Sequence, residues 1–294
     1  MSGAGTTRRA LLAGAGLALL PRIAGAAARP QRIVSLGGAV TEILYRLDRQ
    51  ADIVGVDATS QYPEEALRSK PNVGYVRALG AEGLLSLRPD LILAIEGAGP
   101  PDVLKVVAEA GIPLTRVPDE PSAAGVLHRI AVVARAVGAE ASGETLARAV
   151  EARFAAVAEA RRAGSRAARV LVVLSLQNGR PLVGGHGTSA DGMLRLAGAV
   201  NAAGTVEGWK PLSDEGVIAA RPEVVLRVAR AGAPADGSGD PFALPAFAGT
   251  PAARTRALVA MDGLYLLGFG PRTPEAALDL IAAVRRAAAA GEPG

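Results

Sequence analysis

Short continuous apolar runs alternate along the chain with longer stretches whose apolar residues recur every three or four positions, as buried strands separated by amphipathic helices do. In the first half Arg32–Leu36, Asp52–Val56, Leu91–Ile95 and Ile112–Val117 read as strands. Helices are expected over Thr41–Leu47, entered through the permissive Gly37-Gly38 turn, over Asp102–Ala110, and from about Ser122 onward. Strands alternating with helices in this way predict a parallel sheet. This first unit is expected to end near Gly138.

In the next stretch Leu146, Val150, Phe154 and Val157 fall at helical intervals before a stop at Gly164. They predict a stiff helix of about twenty residues, roughly 30 Å long. Beyond it the alternation resumes with a strand at Arg169–Ser175, a helix at Thr188–Leu196 and strands at Glu223–Val228 and Leu258–Met261. A last helix has Thr273 as its expected N-cap and Pro274 at its first position. Ala231–Asp240, rich in Gly, Pro, Asp and Ser, reads as a mobile loop.

One pattern occurs twice, as Glu82-Gly-Leu-Leu-Ser-Leu-Arg-Pro89-Asp-Leu-Ile-Leu93 and as Glu215-Gly-Val-Ile-Ala-Ala-Arg-Pro222-Glu-Val-Val-Leu226. A helix-to-strand unit used twice predicts two α/β lobes of Rossmann-like build, each with a central sheet, and a ligand cleft between them. The expected boundaries are a lobe over 29–138, a linking helix over 139–164 and a second lobe over 165–294. One rigid helix between lobes resists a wide hinge, so closure on a ligand should be modest.

Composition changes this picture at the N-terminus. Residues 6–28 pair a basic start with a short apolar run and small residues, which reads as an export signal over 1–28, with Arg8-Arg9 leaving twin-arginine export open beside ordinary secretion. The segment carries Arg8, Arg9 and Arg22 and no acid, so its removal lowers the formal charge from +4 to +1. A nearly neutral mature chain gives no reason to expect nucleic acid or an anionic membrane as partner, and no run in its body is long enough to insert in a membrane. There is no cysteine, hence no disulfide, iron–sulfur cluster or lipid-modified cysteine. These features point to a soluble, monomeric protein of the bacterial periplasm.

Catalytic motifs are missing. The only histidines are His128 and His186, and neither a nucleophile elbow, a phosphate loop nor a zincin pattern occurs, which argues against an enzyme. Gly184-Gly-His-Gly-Thr188 suits a helix start capped by Thr188 with Asp191 better than a phosphate site. The most specific chemistry is Gly74-Tyr75-Val76-Arg77. In an extended segment Tyr75 and Arg77 would share a side, and a cation beside a phenol favours the phenolate, a hard anionic ligand for ferric iron. The pattern is equally that of a loop aromatic with an arginine packed on its ring. Glu82 and Glu215 occupy the same place in both repeats, either to complement a helix N-terminus or to meet a partner.

Four stretches, Arg32–Tyr45, Val54–Pro63, Val73–Asp90 and Leu266–Pro274, together resemble the periplasmic haem-binding proteins of bacterial ABC haem importers, a branch of the cobalamin, siderophore and haem binders. The resemblance implies that Tyr75 is the axial ligand of ferric haem, that Arg77 holds its phenolate and that Arg230 meets a propionate from the second lobe. It implies too that Glu82 and Glu215 dock on an ABC permease dimer. Haem would be the transported ligand. Some relatives place a histidine at the start of the second lobe, where this chain has Leu174-Ser-Leu-Gln-Asn178, leaving His186 and Tyr62 as further candidates. The alternatives are a binder of a ferric siderophore or a corrinoid, and an exported enzyme acting on a tetrapyrrole.

Overall fold

The computed structural model describes residues 29–164, 166–177, 179–229 and 240–289. The export signal expected at 1–28 and the loop residues 231–239 lie outside them.

The first lobe runs β1 (Ile33–Leu36), α1 (Gly38–Arg46), β2 (Ile53–Val56), α2 (Glu65–Ser69), α3 (Ala81–Ser86), β3 (Leu91–Ile95), α4 (Pro101–Glu109), β4 (Leu114–Val117) and α5 (Ala123–Ala136). Its four strands stand in the order β2-β1-β3-β4, all parallel. Helices cover both faces of this sheet, and β1 is accordingly buried at every position. Helix α5 begins where a helix was expected to start, and Ser122 is its cap, its hydroxyl accepting from Gly125 N–H.

Helix α6 spans Glu140–Arg162, starting six residues before Leu146, the first of the periodic positions that predicted it. Beyond it come β5 (Arg169–Gln177), β6 (Arg180–Gly184), α7 (Ser189–Ala197), β7 (Val200–Asn201), β8 (Trp209–Pro211), α8 (Asp214–Ala220) and β9 (Val224–Ala229), then α9 (Pro251–Thr255), β10 (Leu258–Asp262), α10 (Gly263–Leu267) and α11 (Thr273–Ala289). The second sheet has the order β10-β9-β5-β6-β8. Here β5, β9 and β10 are parallel, whereas β6 and β8 are antiparallel and β7 pairs with the start of β5. Thr188 caps α7 by accepting from Asp191 N–H. Thr273, by contrast, is the first helical residue of α11 rather than its cap, and its hydroxyl donates to Gly270 O at 2.7 Å.

One apolar cluster joins the two halves. It includes Ile33 and Leu93 of the first sheet, Ile130 and Val133 of α5, Leu146 and Val150 of α6, Val170 and Leu226 of the second sheet, and Leu280 and Ile281 of α11. Helix α6 therefore lies within a shared core, which constrains the lobes far more than a free linker would. Among the described residues no helix is long and apolar enough to cross a membrane.

Candidate functional site

Ligands of open parallel sheets bind beyond the carboxyl ends of the strands. In the first lobe that edge is built from the segments following β1, β2 and β3. Asp57, fully buried just after β2, organises it. One carboxylate oxygen accepts from Gly37 N–H at 2.7 Å and Ser60 Oγ at 3.0 Å, the other from Thr59 N–H at 2.8 Å and Thr59 Oγ1 at 2.6 Å. The loop between β2 and Tyr62 is thus tied to the start of α1.

Residues Pro71–Val73 run beside β2, with Val56 N–H donating to Pro71 O and Val73 N–H to Val56 O, both at 2.9 Å. Gly74 follows at φ 101°, a conformation that side chains disfavour, and its carbonyl accepts from Ala58 N–H at 2.8 Å. Tyr75 then opens a tight turn closed by Ala78 N–H on Tyr75 O at 2.8 Å. Val76 and Leu79 of this turn are buried with Val34, Leu36 and Ala98, and Gly99, just after β3, donates to Val76 O and accepts from Leu79 N–H. Both ends of the turn are pinned while the Tyr75 side chain remains 52% exposed. A phenol on a pinned backbone is positioned before any ligand arrives.

The extended geometry expected for Tyr75 and Arg77 is corrected by this turn. Its hydrogen bond bends the chain at Val76 and Arg77, so the alternation of a strand does not apply and the two side chains are neighbours in a loop. Arg77 is exposed and has no hydrogen bond or ion pair among the described residues. Arg230 lies outside the described residues. His186 is mostly exposed, with Nδ1 3.6 Å from the Asp191 carboxylate, and its backbone is paired with the segment before β8, where its N–H donates to Val206 O. His128 is exposed on α5, and Trp209 packs against Gly184 in the second lobe.

The two repeat acids have matching positions. Glu82 is the second residue of α3 and Glu215 the second of α8, and both are exposed. The Glu215 carboxyl is held below the ordinary carboxylate range by its own N–H and by the Ser213 hydroxyl. Behind these acids each repeat closes with the same clamp. Arg32 donates to Arg88 O and Leu87 O while Asp90 accepts from Gln31 and Arg32 N–H. Likewise Arg169 donates twice to Ala220 O while Glu223 accepts from Arg169 N–H at 2.9 Å. In each case a guanidinium satisfies carbonyls orphaned at a helix end. Arg88 and Arg221 also share a left-handed backbone, φ 45° and 46°.

Sequence reasoning missed a cluster between the lobes. Arg272 lies with its guanidinium carbon 3.4 Å from the centre of the Tyr62 ring and its Nε 3.2 Å from Glu42 Oε2, although Glu42 is only 3% exposed. Arg129, fully buried on α5, donates to Gly268 O and Phe269 O. The signal available in the sequence was charge at helical positions otherwise apolar, Glu42 within Val40–Leu44 and Arg129 within Val126–Val133.

A family profile described as periplasmic binding protein matches residues 33–264. Among solved structures, the periplasmic haem-binding protein RhuT of Roseiflexus sp. RS-1 is 41% identical, covers 88% of this chain and 99% of its own, and superposes with a TM-score of 0.82. The periplasmic haem-binding protein BhuT, solved with two haems, is 39% identical over 87% of this chain and 98% of its own, also with a TM-score of 0.82. HutB of Vibrio cholerae, another periplasmic haem-binding protein, is 31% identical over 86% of this chain and 98% of its own, with a TM-score of 0.75. Among curated relatives, an ABC transporter substrate-binding lipoprotein of Bacillus subtilis is 29% identical over 67% of this chain and 63% of its own length. A vitamin B12-binding protein of Yersinia pestis is 37% identical over 29% of this chain and 30% of its own.

Proposed function

The chain belongs to the periplasmic binding protein family, and within that family we propose that it captures ferric haem between its lobes and delivers it to an ABC permease. Supporting this reading are the likenesses to haem-binding proteins that run nearly the length of the chain. The observation that carries it is Tyr75, half-exposed on a turn pinned to β2 and β3 at the carboxyl edge of the first sheet. The Tyr75 oxygen, as phenolate, is a hard donor for ferric iron, and the Arg77 cation in the same turn favours the anionic form. Arg230, following β9, supplies the second lobe's cation for a propionate. The small apolar residues of the cleft exclude water from the ring.

Capture and release make and break only a coordination bond to the iron and leave the haem itself unaltered, and the family is one of binding proteins rather than enzymes. The protein works as a monomer in the periplasm after loss of residues 1–28. Glu82 and Glu215, exposed at one place in each repeat, meet cations of the two permease subunits. Such exposed pairs are individually weak and salt-sensitive, which suits a carrier that must let go. Replacing both with alanine is expected to leave haem affinity unchanged while abolishing carrier-stimulated ATP hydrolysis by the permease.

The similarity to a vitamin B12-binding protein over part of the chain favours a corrinoid as the second reading. Equilibrium titration of the mature protein with ferric haem, cyanocobalamin and a ferric siderophore separates them. The haem reading requires saturable one-to-one binding of haem that the other two do not displace; saturable binding of a corrinoid or siderophore alone would overturn it.

A further inference from the structure

The residues Gly268–Arg272, which join α10 to α11 in the second lobe, pack against the first lobe. Two arginines facing opposite ways hold this stretch. Arg129 of α5, in the first lobe, is 0% exposed and sends Nη1 to Gly268 O at 2.9 Å and Phe269 O at 2.8 Å, Nε to Pro118 O at 2.9 Å and Nη2 to Asp119 Oδ1 at 2.8 Å. Arg272 reaches back from the second lobe to Glu42 of α1 and lies on the Tyr62 ring, with Tyr265 5.2 Å away on its own lobe.

The fit between them is close. A Cβ on Gly270 would come within 3.0 Å of Glu42 Oε2, and one on Gly38 within 2.6 Å of Leu264. One on Gly192 of α7 would approach Pro121 O to 2.4 Å. Phe269 adopts φ 50° and is 1% exposed, so the stretch is anchored by an apolar side chain as well as by its polar groups. Glu42 Oε1 is buried without a hydrogen-bond partner among the described residues, and burial pushes the Glu42 carboxyl upward against the Arg272 charge and hydrogen bonds that favour its ionised form. A buried pair held this way constrains geometry, because either charge left alone would be unpaired in a medium that solvates it poorly.

We propose that Gly268–Arg272 is a clasp that fixes the spacing of the lobes, with Arg129, Glu42 and Arg272 as positioning residues for the ligand cleft. Neither arginine needs to touch the cargo. Arg129 sets the near edge of the second lobe through its backbone carbonyls, and Arg272 locks the loop bearing Tyr62 against it. Opening the cleft beyond its resting width would have to part the Arg272–Glu42 pair and the Arg129 hydrogen bonds together. The consequence for cargo retention rests on the haem reading; the consequence for lobe spacing does not.

The chain has no cysteine, so paired labels can be introduced cleanly. Lys105→Cys on α4 and Ile218→Cys on α8 place spin labels on exposed positions of the two lobes. Pulsed dipolar spectroscopy on the ligand-free protein should give a narrow distance distribution. Arg272→Met should broaden and shift it while far-ultraviolet circular dichroism stays native. The double variant Glu42→Gln/Arg272→Met, which leaves no buried charge unpaired, should be broadened too and stands in if the single variant does not fold. In haem-loaded protein the same variants should raise the dissociation rate by about tenfold with the spectrum of the bound haem unchanged, since affinity differences within one site appear mainly in dissociation. A folded variant with the wild-type distribution would overturn the clasp. Failure of the wild type to bind haem would overturn the functional reading and leave the distance comparison decisive for the clasp.

Discussion

In the first lobe β1 lies between β3 and β2 and runs parallel to both; in the second, β5 takes the same place beside β9 but carries the antiparallel β6 on its other side. The shared half is detailed. It comprises three parallel strands, a short helix with an exposed glutamate as its second residue, a left-handed arginine before proline, and a guanidinium clamp returning to the helix end. The other half is where the lobes part. Beyond β2 the first lobe adds the Pro71–Val73 segment and the Tyr75 turn, whereas the second adds β6 and β8 with His186 between them. The repeated half fixes the frame and presents the same acid on both tips, while the candidate ligand chemistry sits where the repeat ends. A carrier that must meet a two-subunit permease benefits from likeness at its tips, and one that must grip a single cargo benefits from difference at its cleft.

The sharpest way to test the likeness is to remove each clamp. Arg169 is partly buried and Arg32 exposed, so Arg169→Ala should cost about 2 kcal/mol of unfolding free energy and Arg32→Ala about 1 kcal/mol, read from urea denaturation. Equal and negligible losses would mean that the clamps are incidental. A smaller effect separates the lobes by pH. Burial pulls the Glu223 carboxyl upward, but the Arg166 guanidinium and the Arg169 N–H together outweigh it and hold it below the ordinary carboxylate range. A carboxylate held low in the folded state stabilises above its unfolded pKa, and the contribution disappears as pH falls through the folded value. Glu223→Gln should therefore lower stability at neutral pH slightly and flatten the acid limb of the stability curve. The effect is small because the Arg166 partner is exposed and solvent screens the pair. An acid limb as steep as that of the wild type would assign the acid sensitivity elsewhere.

Much of the shared half could be read from the sequence. Leu91–Ile95, buried through its length apart from its last residue, announces itself as a continuous apolar run, and the two Arg-Pro-acid turns mark the same corner twice. Thr188 was legible as a cap, and Ser122 as the start of a helix, because their chemistry is local. The β6 and β8 strands were not. Trp209–Pro211 is three residues long, β6 carries Pro181 as its second residue, and neither offers a period to detect. The Tyr75 turn was misread as extended because the hydrogen bond from Ala78 and the positive φ at Gly74 leave no trace in alternation. The clasp escaped for a different reason. Arg129 and Phe269 are 140 positions apart, and a pairing at that separation is decided by how the lobes pack rather than by either local pattern.

The account stands or falls on Tyr75. The visible spectrum of the mature protein saturated with ferric haem, recorded beside that of Tyr75→Phe, tests it most directly. A tyrosinate-type charge-transfer band in the wild type that is lost in a folded Tyr75→Phe, with haem affinity reduced about a hundredfold or more, is the predicted result. An unchanged spectrum and affinity in the variant would place the iron elsewhere and contradict the assignment of Tyr75 as the haem ligand.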